Sequence, residues 1–262
     1  MQSLRGRAAF VTGSTSGIGL GVARALAAAG ADVTLNGFGD PGEIESLVTS
    51  IAKDFGVRAR YHAADMSRPV EIRAAIAFVQ DELEGLDVLV NNAGIQHTAW
   101  VEDFPAVQWD NILAVNLSAA FFTAQSALPR MRQRGWGRII NVASVHGLVA
   151  SPMKAAYVAA KHGLVGLTKV IALETAGTGI TANTLCPGWV HTPLVKKQIA
   201  ALAAEKQVSL EDASILLLAT KQPSQRFVTE EEIGALAVFL CSDDARSITG
   251  VSVPVDGGWT AQ

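Results

Sequence analysis

The chain has 262 residues, 49% of them hydrophobic and 17% charged, so it can bury a sizeable core, and we expect one domain. The formal net charge of -3 and the absence of a Lys or Arg block argue against a nucleic acid or an anionic membrane surface as the main partner. A small anionic molecule remains possible, because it needs only local positive charge.

Three features of the sequence bear on the cellular location of the protein and on metal binding. Met1–Arg7 is followed by an apolar run, Ala8–Thr12, that is too short for a signal peptide core, so we expect a cytoplasmic protein. Ile112–Pro129 has no formal charge, but polar side chains interrupt it, which indicates a helix buried in protein rather than a membrane span. The two cysteines, Cys186 and Cys241, lack metal-ligand spacing, and we expect no metal site.

The first predicted elements are a strand at residues 8–12, a glycine-rich turn and an alanine-rich helix at about residues 18–29. The turn contains Gly13, Gly17 and Gly19. Glycines let backbone amides approach a pyrophosphate, and the helix N-terminus adds partial positive charge. Turns of this kind are common, however, and the spacing differs from the familiar G-x-G-x-x-G fingerprint.

The second predicted strand is Asp32–Asn36. In nucleotide-binding folds, the residues at the end of this strand usually determine whether NAD or NADP binds. An acid about 20 residues beyond the glycine turn binds the adenosine ribose of NAD, whereas an arginine accepts the 2′-phosphate of NADP. This chain has Asn36 and Phe38 there, and residues 34–52 include no Lys or Arg. A 2′-phosphate would meet no counter-charge, so we expect NAD rather than NADP.

Helices and strands alternate through the next part of the chain. Apolar spacing predicts helices at residues 41–55 and 69–83, and strands at residues 58–62 and 88–90. Asp65 follows one of these strands, where it could reach an adenine or cap the next helix. The alternation predicts an α/β fold with a doubly wound parallel sheet of the Rossmann type and a ligand over the carboxyl ends of the strands.

A long helix is predicted at residues 107–134, with a weak point at Pro129. Asn116 lies inside it. An asparagine in a helix usually points to solvent or satisfies a neighbour, and here it could instead hold a water behind the pair described next.

The segment from Ser144 to Lys161 concentrates groups that exchange protons. Tyr157 and Lys161 are four residues apart, on one face of a predicted helix. An adjacent ammonium should lower the phenol pKa from its ordinary value of about 10 and make Tyr157 a general acid/base. Ser144 could donate a second hydrogen bond to the same substrate oxygen. The pair alone also occurs by chance on helix surfaces.

The stretch at residues 189–227 is polar and rich in alanine, and it follows a strand at residues 181–186. We interpret it as a helical lid over the substrate, although an exposed helical hairpin without function is the alternative. A helix at residues 229–241 and a strand at residues 251–255 complete the predicted domain.

Together these motifs resemble those of the short-chain dehydrogenase/reductase family over nearly the whole chain. The resemblance implies that Tyr157 exchanges a proton with the substrate oxygen and that Ser144 polarises it. Lys161 would lower the tyrosine pKa and hold the nicotinamide ribose, and Asn116 would maintain a water relay. The motifs are Thr12-Gly13-x3-Gly17-x-Gly19, Asn91-Asn92-Ala93-Gly94, Asn116, Ser144, Tyr157-x3-Lys161 and Pro187-Gly188.

The same resemblance implies a homotetramer and a set of cofactor-binding residues. Thr192 matches the family position that holds the nicotinamide carboxamide. With Tyr157 and Lys161, the implied cofactor-binding residues are Gly13, Thr15, Gly17, Ile18, Gly19, Phe38, Asp65, Asn92, Val190 and Thr192.

The sequence is most similar to a bacterial branch of the family that interconverts (R)-3-hydroxybutyrate and acetoacetate with NAD. The motifs shared with it are Asn36-Gly37-Phe38-Gly39, Gln96-His97, the run from Ser144 to Lys154, and Trp189-Val190-x-Thr192. This resemblance implies that the substrate carboxylate is bound by Gln96, His146, Lys154 and Gln198, and that the methyl side is walled by Trp189 and Trp259.

Two other functions remain open at this stage. The first is a related reductase for another small keto acid or a 3-oxoacyl thioester. A thioester has no free carboxylate, so it would leave Lys154 and His146 without a partner. The second is a protein that binds NAD without turning it over, although such a protein has no need of a tuned tyrosine.

Overall fold

The structure is a computed structural model that describes residues 4–262, except for the side chain of Leu194. Residues 1–3 of the predicted domain lie outside this part. A parallel sheet of seven strands occupies the centre. The strands are β1 (Ala8–Val11), β2 (Asp32–Asn36), β3 (Ala59–His62), β4 (Val88–Asn91), β5 (Gly137–Val142), β6 (Ile180–Pro187) and β7 (Ser252–Val255).

Helices cover both faces of this sheet, whose strand order is β3-β2-β1-β4-β5-β6-β7. This arrangement confirms the predicted doubly wound Rossmann-type domain. The helices are α1 (Gly17–Ala28), α2 (Pro41–Phe55), α3 (Pro69–Glu82), α4 (Ala106–Leu113), α5 (Ala119–Arg134), α6 (Ala155–Thr175), α7 (Pro193–Lys206), α8 (Leu210–Ala219) and α9 (Glu230–Cys241).

The alternation of side chains along each strand builds two separate cores. In β1, Phe10 packs in the core beneath α3 and α5, whereas its neighbour Val11 packs in the core beneath α1 and α9. Both side chains are fully buried, as expected for a strand covered on both faces. The continuous apolar strands therefore predict the layered architecture directly.

Local end signals explain why several predicted boundaries agree with the structure. Helix α2 begins after Asp40, whose Oδ1 accepts hydrogen bonds from the backbone N–H groups of Gly42 and Glu43 at 2.9 and 3.0 Å. It ends at Gly56, which has a φ of +66°. Thr229 and Glu232 form a reciprocal capping box at the start of α9.

The predicted helix at residues 107–134 differs from the structure in where it is interrupted. Pro129 lies within α5 without ending it, and the irregularity is a π-helical turn, Ala114–Ser118, between α4 and α5. A proline removes one helix hydrogen bond, whereas a π turn admits an extra residue and is frequent at functional sites. The turn places the buried side chain of Asn116 towards the loop after β4, where it bonds to Ile95.

Two helical stretches, Ala106–Arg134 and Ala155–Thr175, are long and apolar enough to cross a membrane by length and composition alone. Both pack against the central sheet, α5 on β4 and β5 and α6 on β6. Core helices of globular domains can have the same length and composition. The packing of α5 agrees with the expectation that Ile112–Pro129 is a helix buried in protein.

The predicted insertion consists of α7, α8 and the segment that leads to α9. Its helices enclose a small apolar cluster around Val195 and Ile199, with Trp189 and Phe227 packed at the edge. A bridge between Val190 and Val228 closes its base. The insertion follows β6 and therefore lies at the carboxyl edge of the sheet, beside the loops after β1, β4 and β5.

Candidate active site

Ser144, Tyr157 and Lys161 come together just beyond the end of β5. Ser144 precedes a short 3₁₀ turn, and its hydroxyl forms a hydrogen bond with Tyr157 from the first turn of α6. Lys161 is buried, with 3% of its surface exposed. Its Nζ donates a 2.8 Å hydrogen bond to the carbonyl of Val142 and lies 5.6 Å from the centre of the Tyr157 ring. The predicted cluster is therefore present in the structure.

The predicted direction of the Tyr157 pKa is wrong. Burial raises the pKa of Tyr157, and the hydrogen bond from Ser144 lowers it only in part. Lys161 does not reverse the shift, and its Nζ is directed at the Val142 carbonyl. Burial thus favours the phenol form of Tyr157, which is the form that donates a proton to a carbonyl oxygen.

Asn116 reaches the same region from the π-helical turn. Its Oδ1 accepts from the Ile95 backbone N–H and its Nδ2 donates to the Ile95 carbonyl, both at 2.9 Å. A methyl group built on Gly94 would lie 3.6 Å from Asn116 Oδ1 and 3.7 Å from Lys161 Nζ, so the two side chains flank this glycine. Asn116 thus pairs with the backbone N–H and carbonyl groups of the loop at Ile95, beside Lys161. Its part in a water relay stays a prediction.

A small cavity adjoins the Ser144 and Tyr157 hydroxyls. Its volume is about 80 Å³, which is enough for a ligand of a few atoms. Every residue predicted to bind the substrate lines it. These residues are Gln96, Ser144, His146, Lys154, Tyr157, Trp189, Gln198 and Trp259.

Positive charge and unpaired donors characterise the wall of this cavity. Burial lowers the pKa of Lys154 to about 8, and its Nζ lies 5.2 Å from the centre of the Trp189 ring. Gln96 Nε2 and Trp189 Nε1 are buried and find no hydrogen-bond acceptor within residues 4–262. Buried donors normally have a partner, because an unpaired one costs about 1–3 kcal/mol. The wall is therefore suited to an acceptor such as a carboxylate.

Aromatic rings form another part of the wall. Trp189 and Trp259 lie 5.4 Å apart between ring centres, and His146 lies 5.5 Å from Trp259. These contacts give the cavity an apolar surface, and the contact of these rings with the methyl side of a substrate stays a prediction.

A groove continues from Tyr157 to the N-terminus of α1. Ser16 precedes α1 but makes no capping hydrogen bond within the described part of the chain, so the first-turn N–H groups remain available to a phosphate. A methyl group built on Gly17 would lie 3.4 Å from Thr192 Cγ2, so these two predicted cofactor residues meet. The groove is suited to a nicotinamide dinucleotide. Its lining includes Gly13, Gly17, Ile18, Asn92, Gly94, Tyr157, Lys161 and Thr192.

Several other predicted cofactor residues hold the groove together. Asn92 Nδ2 donates to the carbonyls of Thr12 and Gly13 at 3.0 and 2.9 Å. Gly19 lies against the Gly13 carbonyl, too close for any side chain. The Thr15 hydroxyl donates to the Phe38 carbonyl at 3.0 Å and joins the glycine turn to the loop after β2.

The remaining cofactor predictions have different outcomes in the structure. Phe38 is 70% exposed beside the glycine turn, where it could cover an adenosine. Asp65 Oδ1 accepts from the Ser67 N–H at 2.8 Å in a turn before α3, whose N-cap position is Arg68, so Asp65 does not cap that helix. This bond lowers the Asp65 pKa. Val190 is buried and lines the substrate cavity rather than the groove.

Three side chains have supporting roles that the sequence did not predict. Asn36 links the glycine turn to the end of β3, accepting from Gly13 and donating to the carbonyls of His62 and Ala64. Thr12 Oγ1 accepts from the N–H groups of Asn92 and Ala93. Gln222 accepts from the Trp189 N–H at 2.9 Å. Each of these side chains bonds to residues far away along the chain, and the spacing of residues in the sequence does not reveal such contacts.

Comparison with known proteins identifies the family. A family model described as enoyl-(acyl carrier protein) reductase matches residues 13–260. D-beta-hydroxybutyrate dehydrogenase from Cupriavidus necator is 57% identical over 99% of this chain and 100% of its own length. The enzyme of that name from Rhizobium meliloti is 52% identical over 98% and 99%, respectively.

Solved structures agree with this assignment. The crystal structure of L-sorbose reductase from Gluconobacter frateurii, complexed with NADPH and L-sorbose, has a TM-score of 0.94. It is 30% identical, and the match covers 100% of this chain and 99% of that one. On this evidence the chain belongs to the short-chain dehydrogenase/reductase family and is an oxidoreductase.

Proposed function

We propose that the protein interconverts (R)-3-hydroxybutyrate and acetoacetate with NAD, and that Tyr157 is the general acid/base. One observation carries this proposal: one small cavity combines the Ser144 and Tyr157 hydroxyls with Lys154 and the buried amide N–H of Gln96, which has no acceptor among the described residues. Such a cavity can bind a small molecule that carries both a carboxylate and an oxygen to be protonated. Two relatives that match nearly the full chain are named D-beta-hydroxybutyrate dehydrogenase.

In this mechanism the chain's own residues orient the acid and move one proton. The carboxylate is bound by Gln96, His146, Lys154 and Gln198, while Trp189 and Trp259 contact the methyl group. The Ser144 hydroxyl donates a hydrogen bond to the 3-oxygen. Tyr157 gives its proton to this oxygen during reduction and removes it during oxidation. When bound, the nicotinamide supplies or accepts the hydride.

Lys161 and the glycine turn would position the cofactor. Lys161 lies in the groove beside Tyr157, where it would hold the nicotinamide ribose, and Thr192 would hold the carboxamide. The N–H groups at the start of α1 would bind the pyrophosphate. The side chain of Asn116 supports the loop between the groove and the substrate cavity.

The choice of NAD over NADP rests on charge near Phe38. Residues 34–52 include no Lys or Arg, and Asn36 is fully engaged by Gly13, His62 and Ala64. The nearby Asp40 would repel a 2′-phosphate. These features favour the unphosphorylated cofactor.

We further propose that α7 and α8 close over the substrate and that the protein is a cytoplasmic homotetramer. Exposed apolar side chains on α5 and α6 support a subunit interface, because water-exposed surfaces of this kind are usually covered by a partner. They are Phe121, Val170 and Leu173.

The test is reduction of acetoacetate by NADH, with a 3-oxoacyl thioester measured in parallel. The proposal predicts turnover of acetoacetate and little turnover of the thioester, which lacks the carboxylate that Lys154 binds. Turnover of the thioester alone would assign the chain to the related reductases. NADH binding without turnover of either compound would indicate a non-catalytic binding protein.

A further inference from the structure

Met153 has an unusual backbone conformation directly before Lys154, the lysine of the substrate cavity. Its φ is +64°, in the left-handed region that residues other than glycine, asparagine and aspartate seldom adopt. Glu84 and Gln207 share this conformation, but each follows the end of a helix, where a left-handed residue is a common terminator. Met153 instead precedes α6, so helix termination does not account for its conformation.

The side chain of Met153 does not account for it either. This side chain is 38% exposed, and methionine is flexible enough to fit many environments. A strained backbone persists only where the surrounding structure requires it, and such strain is frequent at functional sites. The conformation of Met153 therefore serves the residues bonded to it rather than its own side chain.

The carbonyl of Met153 joins this turn to the loop after β4. It accepts a 3.0 Å hydrogen bond from the Ala99 N–H. On the other side of Gln96 in the same loop, Ile95 is bonded through both its N–H and its carbonyl to Asn116. The loop that carries Gln96 is thus held by Asn116 before this residue and by Met153 after it.

The side chain of Lys154 leaves the backbone immediately after the turn. Lys154 occupies the N-cap position of α6, but its side chain makes no capping hydrogen bond. Its Nζ instead lies 5.2 Å from the centre of the Trp189 ring, in the wall of the substrate cavity. The direction of the backbone at Lys154 therefore decides whether its ammonium reaches the cavity.

The chain on either side of Met153 has little freedom to adjust. Upstream, the Ser151 hydroxyl lies 3.0 Å from Nε2 of the buried His146, and the ring of Pro152 fixes its own φ. Downstream, α6 fixes the backbone from its first residue onward. A change in the φ of Met153 would therefore have to be absorbed largely by Lys154.

We propose that Met153 is a positioning residue, and that its left-handed backbone directs Lys154 into the substrate cavity. The conformation is what matters, and the methionine side chain is dispensable. The inference rests on the proposed function, in which Lys154 binds the substrate carboxylate beside Gln96.

Three substitutions of Met153 separate its conformation from its side chain. Asparagine and glycine adopt a positive φ readily, whereas isoleucine, which is branched at Cβ, does not. We expect Met153→Ile to raise KM for acetoacetate about tenfold, and Met153→Asn and Met153→Gly to keep it within about threefold of the wild type. KM for NADH should stay the same in all three, because the glycine turn is untouched. A wild-type KM for acetoacetate in Met153→Ile, or an equal rise in all three variants, overturns the proposal.

Glu84 provides the matched control for a general loss of stability. Its φ is +59°, its side chain is exposed, and it lies between α3 and β4, at the amino edge of the sheet. Glu84→Ile therefore introduces the same backbone conflict far from the cavity. It should lower the melting temperature about as much as Met153→Ile while leaving KM for acetoacetate unchanged. If Glu84→Ile raises this KM as much as Met153→Ile does, the effect is one of stability and the proposal is overturned.

A double variant tests whether Met153 acts through Lys154. In Lys154→Met there is no ammonium left to direct, so adding Met153→Ile should raise KM for acetoacetate by less than about twofold further. A further rise of about tenfold would mean that the two residues act independently, which contradicts the proposal.

The wild-type enzyme separates this inference from the proposed function. If the wild type does not reduce acetoacetate, the proposed function fails before any variant is compared. If it does, the pattern among the Met153 and Glu84 variants decides the positioning role alone.

Discussion

The cofactor groove and the substrate cavity meet at Tyr157, but they are built in different ways. The groove is lined mainly by backbone, glycines and short side chains from the ends of several strands, together with Tyr157 and Lys161, and its phosphate-binding end is the start of α1. The cavity has, in addition to small apolar residues, a set of long polar and aromatic side chains that includes Gln96, Lys154, Trp189 and Trp259. The groove is therefore suited to the phosphates and riboses that all nicotinamide cofactors share, whereas the cavity is suited to one small acid.

Tyr157 belongs to both regions, and its substitution should have the largest effect. We expect Tyr157→Phe to lower kcat about 10²- to 10⁴-fold, because the general acid is lost while the ring remains. NADH affinity, measured by fluorescence titration, should stay close to the wild type. Full activity in this variant would exclude Tyr157 as the proton donor.

Lys154 belongs to the cavity alone, so its loss should affect the acid and not the cofactor. We expect Lys154→Met to raise KM for acetoacetate about 10- to 100-fold, which corresponds to one charged hydrogen bond. KM for NADH should stay the same. The matched control is Lys197→Met, which removes an exposed lysine on α7. Equal effects of the two substitutions would contradict the assignment of the carboxylate site.

Phe38 lies beside the glycine turn and does not line the substrate cavity, so changing it should alter cofactor binding and not binding of the acid. We expect kcat/KM for NAD to exceed that for NADP at least tenfold in the wild type, and Phe38→Arg to reduce the ratio about tenfold by pairing with the 2′-phosphate. Phe38→Leu removes the ring without adding charge and should leave the ratio unchanged. A wild type that uses NADP as well as NAD would refute this part of the account.

The pH dependence of anion binding should report on the cavity. Lys154 is charged below its lowered pKa of about 8 and loses its proton above it. The inhibition constant of acetate, a carboxylate that cannot react, should therefore be flat below about pH 8 and rise up to about tenfold per pH unit above it. In Lys154→Met the rise should vanish. Any slope that persists there would have to come from another group, such as Lys161, whose pKa is also about 8.

The sheet and the groove could be predicted from the sequence because their determinants are local. The apolar run of β2, the Asp40 cap and the glycines at 13, 17 and 19 act on neighbouring residues, and the predicted range of α2 agrees with the structure at both ends. The four-residue spacing of Tyr157 and Lys161 likewise placed both on one helix face.

The electrostatic details could not be predicted from spacing. The direction of the Tyr157 pKa depends on how deeply α6 buries the phenol and on the Val142 carbonyl that holds Lys161. The roles of Asn36 and Gln222 depend on partners 23 to 33 residues away along the chain. The hydrogen bonds from Asn116 in the π-helical turn likewise join it to Ile95, 21 residues away along the chain.

The most direct test of the central claim is the rate of NADH formation from (R)-3-hydroxybutyrate compared with the (S)-enantiomer. A cavity that holds the carboxylate at Lys154 and the 3-oxygen at Tyr157 leaves one face of the substrate towards the groove. We therefore predict oxidation of the (R)-enantiomer and a rate at least about 100-fold lower for the (S)-enantiomer. Equal rates for the two, or no oxidation of either, would contradict the claim that this cavity is built for that acid.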